Sequence, residues 1–181
     1  MAIRIEKTFQ VEEPIEQVWA LLSDARRVAV CVPGAKITEQ VNETTYKGAI
    51  SVKVGPSATD YKGEVQIVRL DAANHEIEIS GKGQDVKGRG GASMKMTGKA
   101  RALESGGTEI TSISELNVVG ILAQMGTRVI NEVSNLIFAQ FIRNFQAQLG
   151  NPQEAAAAEA KPLSAAAVAC AAAKGAFHRD S

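Results

Sequence analysis

The stretch GILAQMGTRVINEVSNLIFAQFIRNFQAQLG, residues 120–150, decides the fold. Its apolar side chains recur at steps of three and four, which is the spacing of one face of an α-helix. No proline interrupts the pattern, and Gly150 followed by Asn151 and Pro152 supplies a stop signal. We therefore predict one helix over residues 121–149, about 40 Å long at 1.5 Å per residue. Its apolar stripe is wide, so the helix needs a broad apolar surface to pack against.

The chain before this helix has the pattern of β-strands. Ile3, Ile5, Phe9 and Val11 alternate with polar residues, and Lys7 is the one polar residue on their apolar face. Six further strand-like runs, separated by turn-like breaks, cover residues 35–41, 46–54, 61–70, 76–83, 92–103 and 108–118. Short links favour antiparallel pairing, and helices do not alternate with the strands as they do in a parallel sheet. The sequence therefore predicts an α+β protein with a seven-stranded antiparallel sheet wrapped around the long helix.

Two short helices are predicted between the first and second strands. Pro14 stands near the start of the first, and Asp24 is a good N-cap for the second, which ends at Cys31. Residues 32–35, Val-Pro-Gly-Ala, then read as a tight turn of type II. These helices would support one end of the long helix.

The composition of the 181-residue chain excludes several classes of protein. Its 20 basic and 20 acidic residues balance, so it lacks the basic footprint that nucleic-acid binding requires. No run reaches the roughly 20 apolar residues of a membrane-spanning helix. Cys31 and Cys170 lie far apart, and the charged first residues do not resemble a signal peptide. We expect two thiols rather than a disulfide, and a cytoplasmic location.

Glycines recur on the apolar face of four successive strands: Gly48, Gly63, Gly81 with Gly83, and Gly98. Glycine weakens a strand, so its repeated use on one face calls for a reason. The glycines either bend the sheet around the helix, or bend it and also leave room for a ligand. The sequence leaves both explanations open.

A cavity between this face and the helix is the predicted ligand-binding site, because ligand sites are concave and mostly apolar. Its predicted lining is Tyr46, Gly48, Ile50, Tyr61, Gly63, Val65, Ile79, Gly81, Met94, Met96, Gly98, Leu116, Leu122, Met125, Val129 and Val133. The entrance is predicted at Val32, Pro33 and Gly34. The two tyrosine hydroxyls are candidate donors to a ligand carbonyl, although buried tyrosines more often bond to the protein itself.

No pattern typical of catalysis or metal binding stands out. His75 and His178 are isolated, and the cysteines are too distant to complete a recognisable metal site. The glycine-rich residues 84–91 fit neither a dinucleotide-binding fingerprint nor a phosphate loop. We predict a protein that is not an enzyme and that needs no metal and no cofactor.

Some charged residues remain as weaker candidates. Residues 84–91 read as a long hairpin loop, with Lys87 and Arg89 at its tip as candidate contacts for an anionic partner. Glu39 and Asp60 are the acids nearest the predicted pocket, and the sequence shows no partner for either.

Residues 151–181 form a segment of different composition, with 13 alanines among 31 residues. Alanine favours helix but buries little surface, so this segment cannot build a core. The sequence predicts a folded domain over residues 1–150 and a flexible tail over 151–181. The alternative is that the tail is a weak docking segment for a membrane or a protein partner.

The predicted element order resembles the START/Bet v 1-like (SRPBCC) helix-grip fold, and within it the CoxG family of carbon monoxide dehydrogenase subunits. The residues that carry this resemblance are Phe9-x-Val11, Pro14 with Val18-Trp19, Cys31-Val32-Pro33-Gly34-Ala35, Tyr46-x-Gly48 and Gly63. The resemblance covers Met1 to about Leu149, and the alanine-rich tail lies outside it.

The resemblance implies a lipophilic ligand cavity and a supporting role beside a molybdenum hydroxylase of the carbon monoxide dehydrogenase type. It also implies tethering, or supply of an electron acceptor, at the inner face of the membrane. A quinone or another lipid is then the expected guest of the cavity. Two alternatives stay open: an assembly or tethering factor with no ligand, and a cyclase-like or hydrolase-like pocket enzyme. The enzyme would need inward-facing polar groups, which the sequence did not reveal.

Overall fold

Seven strands and four helices make up residues 1–54 and 56–150, the part of the chain that this computed structural model describes. The elements in chain order are β1 Ala2–Val11, α1 Ile15–Leu22, α2 Ala25–Cys31, β2 Ala35–Gln40, β3 Thr45–Val54, β4 Ser57–Asp71, β5 Glu76–Asp85, β6 Gly90–Ala102, β7 Thr108–Gly120, α3 Ile121–Met125 and α4 Thr127–Gly150. The predicted α+β class is confirmed. The predictions about the tail, including the thiol of Cys170, lie outside the described residues.

The strands form one antiparallel sheet in the order β1-β7-β6-β5-β4-β3-β2, which confirms the predicted sheet. Register shifts between Ile37 and Glu39 and between Ile67 and Arg69 mark irregularities that bend and twist the strands. The β5–β6 hairpin is tighter than predicted. Its strands extend to Asp85 and from Gly90, so the connection is four residues long.

The two short helices and the turn that follows them are confirmed. Asp24 caps α2 by accepting hydrogen bonds from the backbone nitrogens of Arg26, at 3.1 Å, and Arg27, at 3.3 Å. These bonds satisfy amide groups that have no partner inside the helix. Gly34 then adopts a φ of 78°, and Ala35 N donates to Val32 O at 3.2 Å, as a type II turn requires.

The long helix is broken near its start, so the prediction of one continuous helix is wrong there. Gly126 adopts a φ of 87° and separates the five-residue α3 from the 24-residue α4. Left-handed backbone ends an α-helix and is adopted at little cost by glycine. The apolar spacing continues across the break, which is why periodicity alone did not reveal it.

The core consists of two separate apolar clusters. The aromatic cluster comprises Phe9, Val11, Val18, Leu21, Leu22, Cys31, Ala100, Ile110, Phe145 and Leu149, with Phe138 and Phe141 packed against it. The second cluster comprises Ile3, Val118 and Ile130, with Ile5, Leu116 and Leu122 among the residues packed against it. All strand residues of both clusters come from β1, β7 and β6. Most of the packed core therefore lies under one half of the sheet, and Tyr61 of β4 and Ile77 of β5 are buried outside both clusters.

Phe9 is the centre of the aromatic cluster. Its ring meets those of Phe138, Phe141 and Phe145 edge-on, with centroid distances of 5.9, 6.5 and 5.7 Å. Edge-to-face pairs at such distances are favourable beyond the area they bury. They fix the C-terminal half of α4 to β1.

Candidate functional site

The strand register places the predicted site residues of β3 to β6 on one face of the sheet. In β3 and β4, Ile50 lies opposite Tyr61, Gly48 opposite Gly63 and Tyr46 opposite Val65. Val65 is paired in turn with Gly81, and Gly81 with Met94, while Ile79 lies opposite Met96 and Ile77 opposite Gly98. Directly opposed residues share a face, so the structure brings the sheet half of the predicted site together.

Several apolar side chains of this inner face are incompletely covered, although Tyr61 and Ile77 on the same face are buried. Ile50, Ile79, Met94 and Met96 belong to neither core cluster and are only half-buried, and Val65 is 41% exposed. Met94 and Met96 lie on the strand next to β7, where the core is otherwise packed. Apolar side chains that face the core side of a sheet yet remain accessible border space that protein atoms do not fill.

Two of the glycines mark places where strands approach closely. A Cβ atom at Gly63 would lie 1.9 Å from the carbonyl oxygen of Lys82, and one at Gly48 would lie 2.7 Å from that of Lys36. Both distances are far inside van der Waals contact, so only glycine fits without backbone movement. These two glycines therefore serve the bending of the sheet.

The glycines of β5 are different, because a side chain would fit there. A Cβ atom at Gly81 would have ordinary contacts, the nearest at 3.7 Å with Glu64 O and with Val65 Cγ2. At Gly83 the nearest contact would be 3.6 Å, with Lys62 O. Gly98 is intermediate, with Ile77 Cγ2 at 3.1 Å. Close approach thus accounts for Gly48 and Gly63, whereas the β5 glycines leave volume unfilled.

The helical residues of the predicted site divide between α3 and α4. Leu122 packs against the second cluster, whereas Met125, Val129 and Val133 are half-buried or exposed and belong to neither cluster. Helical spacing places Val133 in one row with Ile137, Gln140 and Asn144. The row ends at Asn144, which contacts α2. The C-terminal half of this row on α4 therefore faces α2.

Asn144 fixes α4 to the end of α2. The buried side chain donates from Nδ2 to Cys31 O at 3.0 Å and accepts from Gln140 Nε2 at 3.0 Å. The carbonyl of Cys31 lies in the last turn of α2, where carbonyl groups have no hydrogen-bond donor within the helix. The turn that follows α2 is thereby held beside the Val133 row.

That turn contains the predicted entrance residues. Pro33 is buried, while Val32 and Gly34 are half-buried. Gly34 lies against β3, where Ser51 N donates to Gly34 O at 3.1 Å and an added Cβ would approach Ser51 O to 2.4 Å. The turn is thus anchored on one side to the sheet and lies close to α4, and an opening at this point stays a prediction.

The two tyrosine hydroxyls of the predicted site differ in their partners. Gln40 Nε2 donates to the Tyr46 hydroxyl at 3.4 Å, whereas Thr59, on the same face of β4 as Tyr61, donates to Val52 O at 3.3 Å. Burial is the main cause that raises the pKa of Tyr61 above its usual value, and the neighbouring Thr59 side chain opposes that shift. Tyr61 therefore stays protonated and can act as a hydrogen-bond donor at neutral pH.

The inner face also holds a buried acid that sequence reasoning missed. The side chain of Asp85, opposite Tyr61, is 0% exposed and accepts hydrogen bonds from Lys87 N at 3.2 Å and Arg89 N at 3.3 Å. The Arg89 guanidinium completes the arrangement through Nε and Nη2, and its hydrogen bond is the main cause that lowers the pKa of Asp85. Arg89 is therefore engaged within the hairpin and is not a projecting contact for an anionic partner.

The two acids that the sequence placed nearest the pocket lie elsewhere. Glu39 is exposed and paired with Lys47 at 3.8 Å, and the exposed Asp60 accepts a hydrogen bond from the Ser51 hydroxyl. Each alternates with inner-face residues and belongs to the outer face of the sheet. Both acids thus have partners that the sequence did not show.

Inward-facing polar groups are nevertheless present, on β1 and β7. Lys7 lies opposite Ser112 and Ile5 opposite Ser114, in the same face as Phe9 and Ile110. Lys7 donates to Asn135 Oδ1 on α4. The signals were the lysine within the apolar alternation of β1 and the serines within the Ile-x-Ser-x-Ser-x-Leu alternation of β7.

A surface concavity of about 690 Å³ lies at the β5–β6–β7 end of the sheet and shares no residue with the predicted site. It includes Lys82, Gln84, Ser93, Asn117 and Val119, all of which alternate with inner-face residues and so face outward. Gly83, Asp85 and Ala92 of the inner-face alternation also line it, so the concavity lies at this end of the sheet and opens chiefly on its outer face. Within residues 1–54 and 56–150, no group of three or more acidic, histidine or cysteine side chains is arranged to hold a metal ion.

Comparison with protein families identifies the chain. The model of the family described as CoxG, a subunit of carbon monoxide dehydrogenase, matches residues 8–150. The chain belongs to the CoxG family. The resemblance drawn from the sequence motifs is confirmed, and the match to the family model ends at the same residue as α4. A comparison with curated protein sequences found no significant match.

Solved structures confirm the START/Bet v 1-like fold of this CoxG-family protein. A conserved protein from Geobacillus kaustophilus superimposes with a TM-score of 0.74 at 18% identity, covering 82% of this chain and 95% of that one. A START superfamily protein from Mycobacterium smegmatis gives a TM-score of 0.55 at 11% identity, covering 82% and 98%. The Zhui aromatase/cyclase from Streptomyces sp. R1128 gives a TM-score of 0.55 at 16% identity, covering 84% of this chain and 94% of that one. At these identities the likeness shows the fold alone.

None of the helices in the described part of the chain is both long and apolar enough to cross a membrane.

Proposed function

We propose that this protein is a non-catalytic carrier for a lipophilic molecule, which it holds between the inner face of β3–β6 and the Val129–Val133 side of α4. The observation that supports this most is the incomplete covering of the inner face. Val65, Ile79, Met94 and Met96 are partly exposed although they face the core side of the sheet. Gly81 adds volume that a side chain could occupy but does not. Apolar concave surfaces of this kind are the usual setting of small-molecule sites.

A quinone is the guest that we propose first, with other lipids as the wider class. The family description connects these proteins with carbon monoxide dehydrogenase, which as a molybdenum hydroxylase must pass its electrons to an acceptor. A carrier that delivers a quinone to such an enzyme would work on the cytoplasmic side of the membrane, with peripheral membrane association at most. Flexible methionines such as Met94 and Met96 suit the irregular outline of a prenyl chain or ring.

The proposed role is one of binding rather than catalysis. The inner face of β3–β6 is chiefly apolar, and its buried acid, Asp85, is fully engaged by Arg89 and backbone amides. His75 lies at the start of β5 against the edge of Trp19, with 5.5 Å between the ring centroids. None of these groups forms a nucleophile–base pair or a pair of acids with separated pKa values.

The experiment is a direct search for the guest. Native mass spectrometry of the purified full chain should show a bound lipophile, and decylubiquinone should quench the fluorescence of Trp19, the single tryptophan of the sequence, in a saturable manner. A chain that carries no lipophile and binds neither decylubiquinone nor a fatty acid would contradict the carrier role. The assembly or tethering factor without a ligand would then be the better account.

A further inference from the structure

A polar belt separates the two core clusters. It consists of Lys7, Ser112 and Ser114 on the sheet and Ser134 and Asn135 on α4. Along β1 and β7 the belt residues lie between members of the aromatic cluster and members of the second cluster. Ser134 lies four residues after Ile130 and four residues before Phe138 on α4. Ile130 and Phe138 both pack toward the sheet, so helical spacing directs Ser134 toward the sheet as well.

Lys7 carries a positive charge into this belt without a balancing acid. Its Nζ donates to the neutral Asn135 Oδ1 and lies 6.0 Å from the centroid of the Phe138 ring. Among residues 1–54 and 56–150, no carboxylate lies within the 4.0 Å of an ion pair with Lys7. Lys7 is half-buried and its partner Asn135 is exposed, so the ammonium group lies at the rim where the β1 edge meets α4.

The serines of the belt have hydrogen-bonding capacity to spare. Ser112, Ser114 and Ser134 are half-buried, and none of their hydroxyl groups forms a hydrogen bond with another described residue. Polar groups among apolar clusters cost free energy unless water or a ligand bonds to them. Ser114 is paired with Met96 and Ser112 with Gly98, so the hydroxyls adjoin the half-buried apolar surface of the proposed carrier site.

We propose that the polar belt binds the carboxylate head group of a long-chain lipophile whose tail lies along the inner face past Met96 and Ile79. This assignment rests on the proposed carrier function. A lone ammonium group with nearby hydroxyl donors favours an anionic acceptor over a neutral one, because charge-assisted hydrogen bonds are about twice as strong as neutral ones. The position at the rim lets the carboxylate keep part of its hydration while the tail leaves water.

The test compares two probes that differ only in the charge of the head group. cis-Parinaric acid and its methyl ester are titrated by fluorescence at pH 8 into the full chain and three variants. Lys7→Met keeps the aliphatic stem and removes the charge, Lys7→Arg restores a charge, and Lys95→Met makes the same change on the exposed outer face. The wild type should bind the acid more tightly than the ester. Lys7→Met should weaken binding of the acid about tenfold and leave the ester unchanged.

The controls separate this inference from the proposed function. Lys7→Arg should retain most of the affinity for the acid, and Lys95→Met should behave as the wild type. A wild type that binds neither probe overturns the belt assignment, and decylubiquinone binding measured on the same sample then decides whether the carrier function holds. If the wild type binds acid and ester equally and Lys7→Met changes neither affinity, the belt assignment is overturned and the carrier function is retained. Lys7 would then only cover Phe138 with its stem. Thermal melts confirm that each variant is folded.

Discussion

At residue 63 the sheet has room for a hydrogen atom and nothing larger, whereas residue 81 has room for a methyl group. Gly63→Ala should destabilise the fold by about 1–3 kcal/mol, because the added Cβ meets the Lys82 carbonyl at 1.9 Å. Gly81→Ala should be neutral or stabilising by up to about 1 kcal/mol, since its Cβ has ordinary contacts and the unfolded chain loses freedom. Urea unfolding of the two variants measures the difference, and equal destabilisation would refute the distinction.

The same residues show what a sequence can reveal at this scale. Strand alternation was sufficient to find glycines on one face, because the side-chain period of a strand is fixed. It could not separate Gly63 from Gly81, since that difference depends on how closely a neighbouring strand approaches. Lys7 was visible as an exception within β1, but its partner Asn135 lies 128 residues away in the chain. Ser112 and Ser114 were visible only as polar residues within the apolar alternation of β7, and nothing in the sequence placed them beside Lys7.

Among the elements, the β5–β6 hairpin depends most on charge. The Arg89 guanidinium is the main cause that lowers the pKa of Asp85. A depressed folded-state pKa contributes stability that is present above the usual aspartate value of about 3.9 and is lost as the pH falls through the folded-state value. The native chain should therefore lose stability in acid partly by protonation of Asp85.

Asp85→Asn tests this contribution. The variant should melt at a lower temperature than the wild type at pH 7, and the difference between the two should shrink as the pH falls below about 4. Thermal melts across pH 2–7, monitored by circular dichroism, give the comparison. Glu64→Gln, at an exposed acid of the neighbouring strand, is the matched control and should follow the wild type. A difference that does not change with pH would assign the role of Asp85 to shape rather than charge.

Secondary structure was more predictable than the connections between elements. Periods of two and of three to four residues located the strands, α1, α2 and most of α4, because each has one apolar face. The break at Gly126 was missed because the apolar spacing runs through it. The short β5–β6 connection was missed because its glycines suggested a loop, whereas the Asp85–Arg89 pair closes a tight turn.

For the whole molecule, the boundary at residue 150 predicts that the domain folds without the segment that follows. The match to the family ends at residue 150, and the alanine-rich composition of residues 151–181 offers little apolar bulk. A chain ending at Gly150 should melt within about 3 °C of the full chain, since 1 kcal/mol corresponds to about 2–4 °C for a domain of this size. A larger drop would show that the segment packs on the domain. Loss of membrane or partner binding with an unchanged melt would support a docking role.

The central claim is that the space between the inner face and α4 holds the ligand, and a pair of leucine substitutions on β5 tests it most directly. Gly81→Leu places a side chain in that space, and Lys82→Leu places the same side chain on the outer face one residue away. Decylubiquinone binding is measured together with the thermal melt of both variants. We predict that Gly81→Leu stays folded and loses at least about tenfold in affinity, while Lys82→Leu binds as the wild type does. Unchanged binding by a folded Gly81→Leu variant, or a loss of stability of about 1–3 kcal/mol through overpacking, would contradict it.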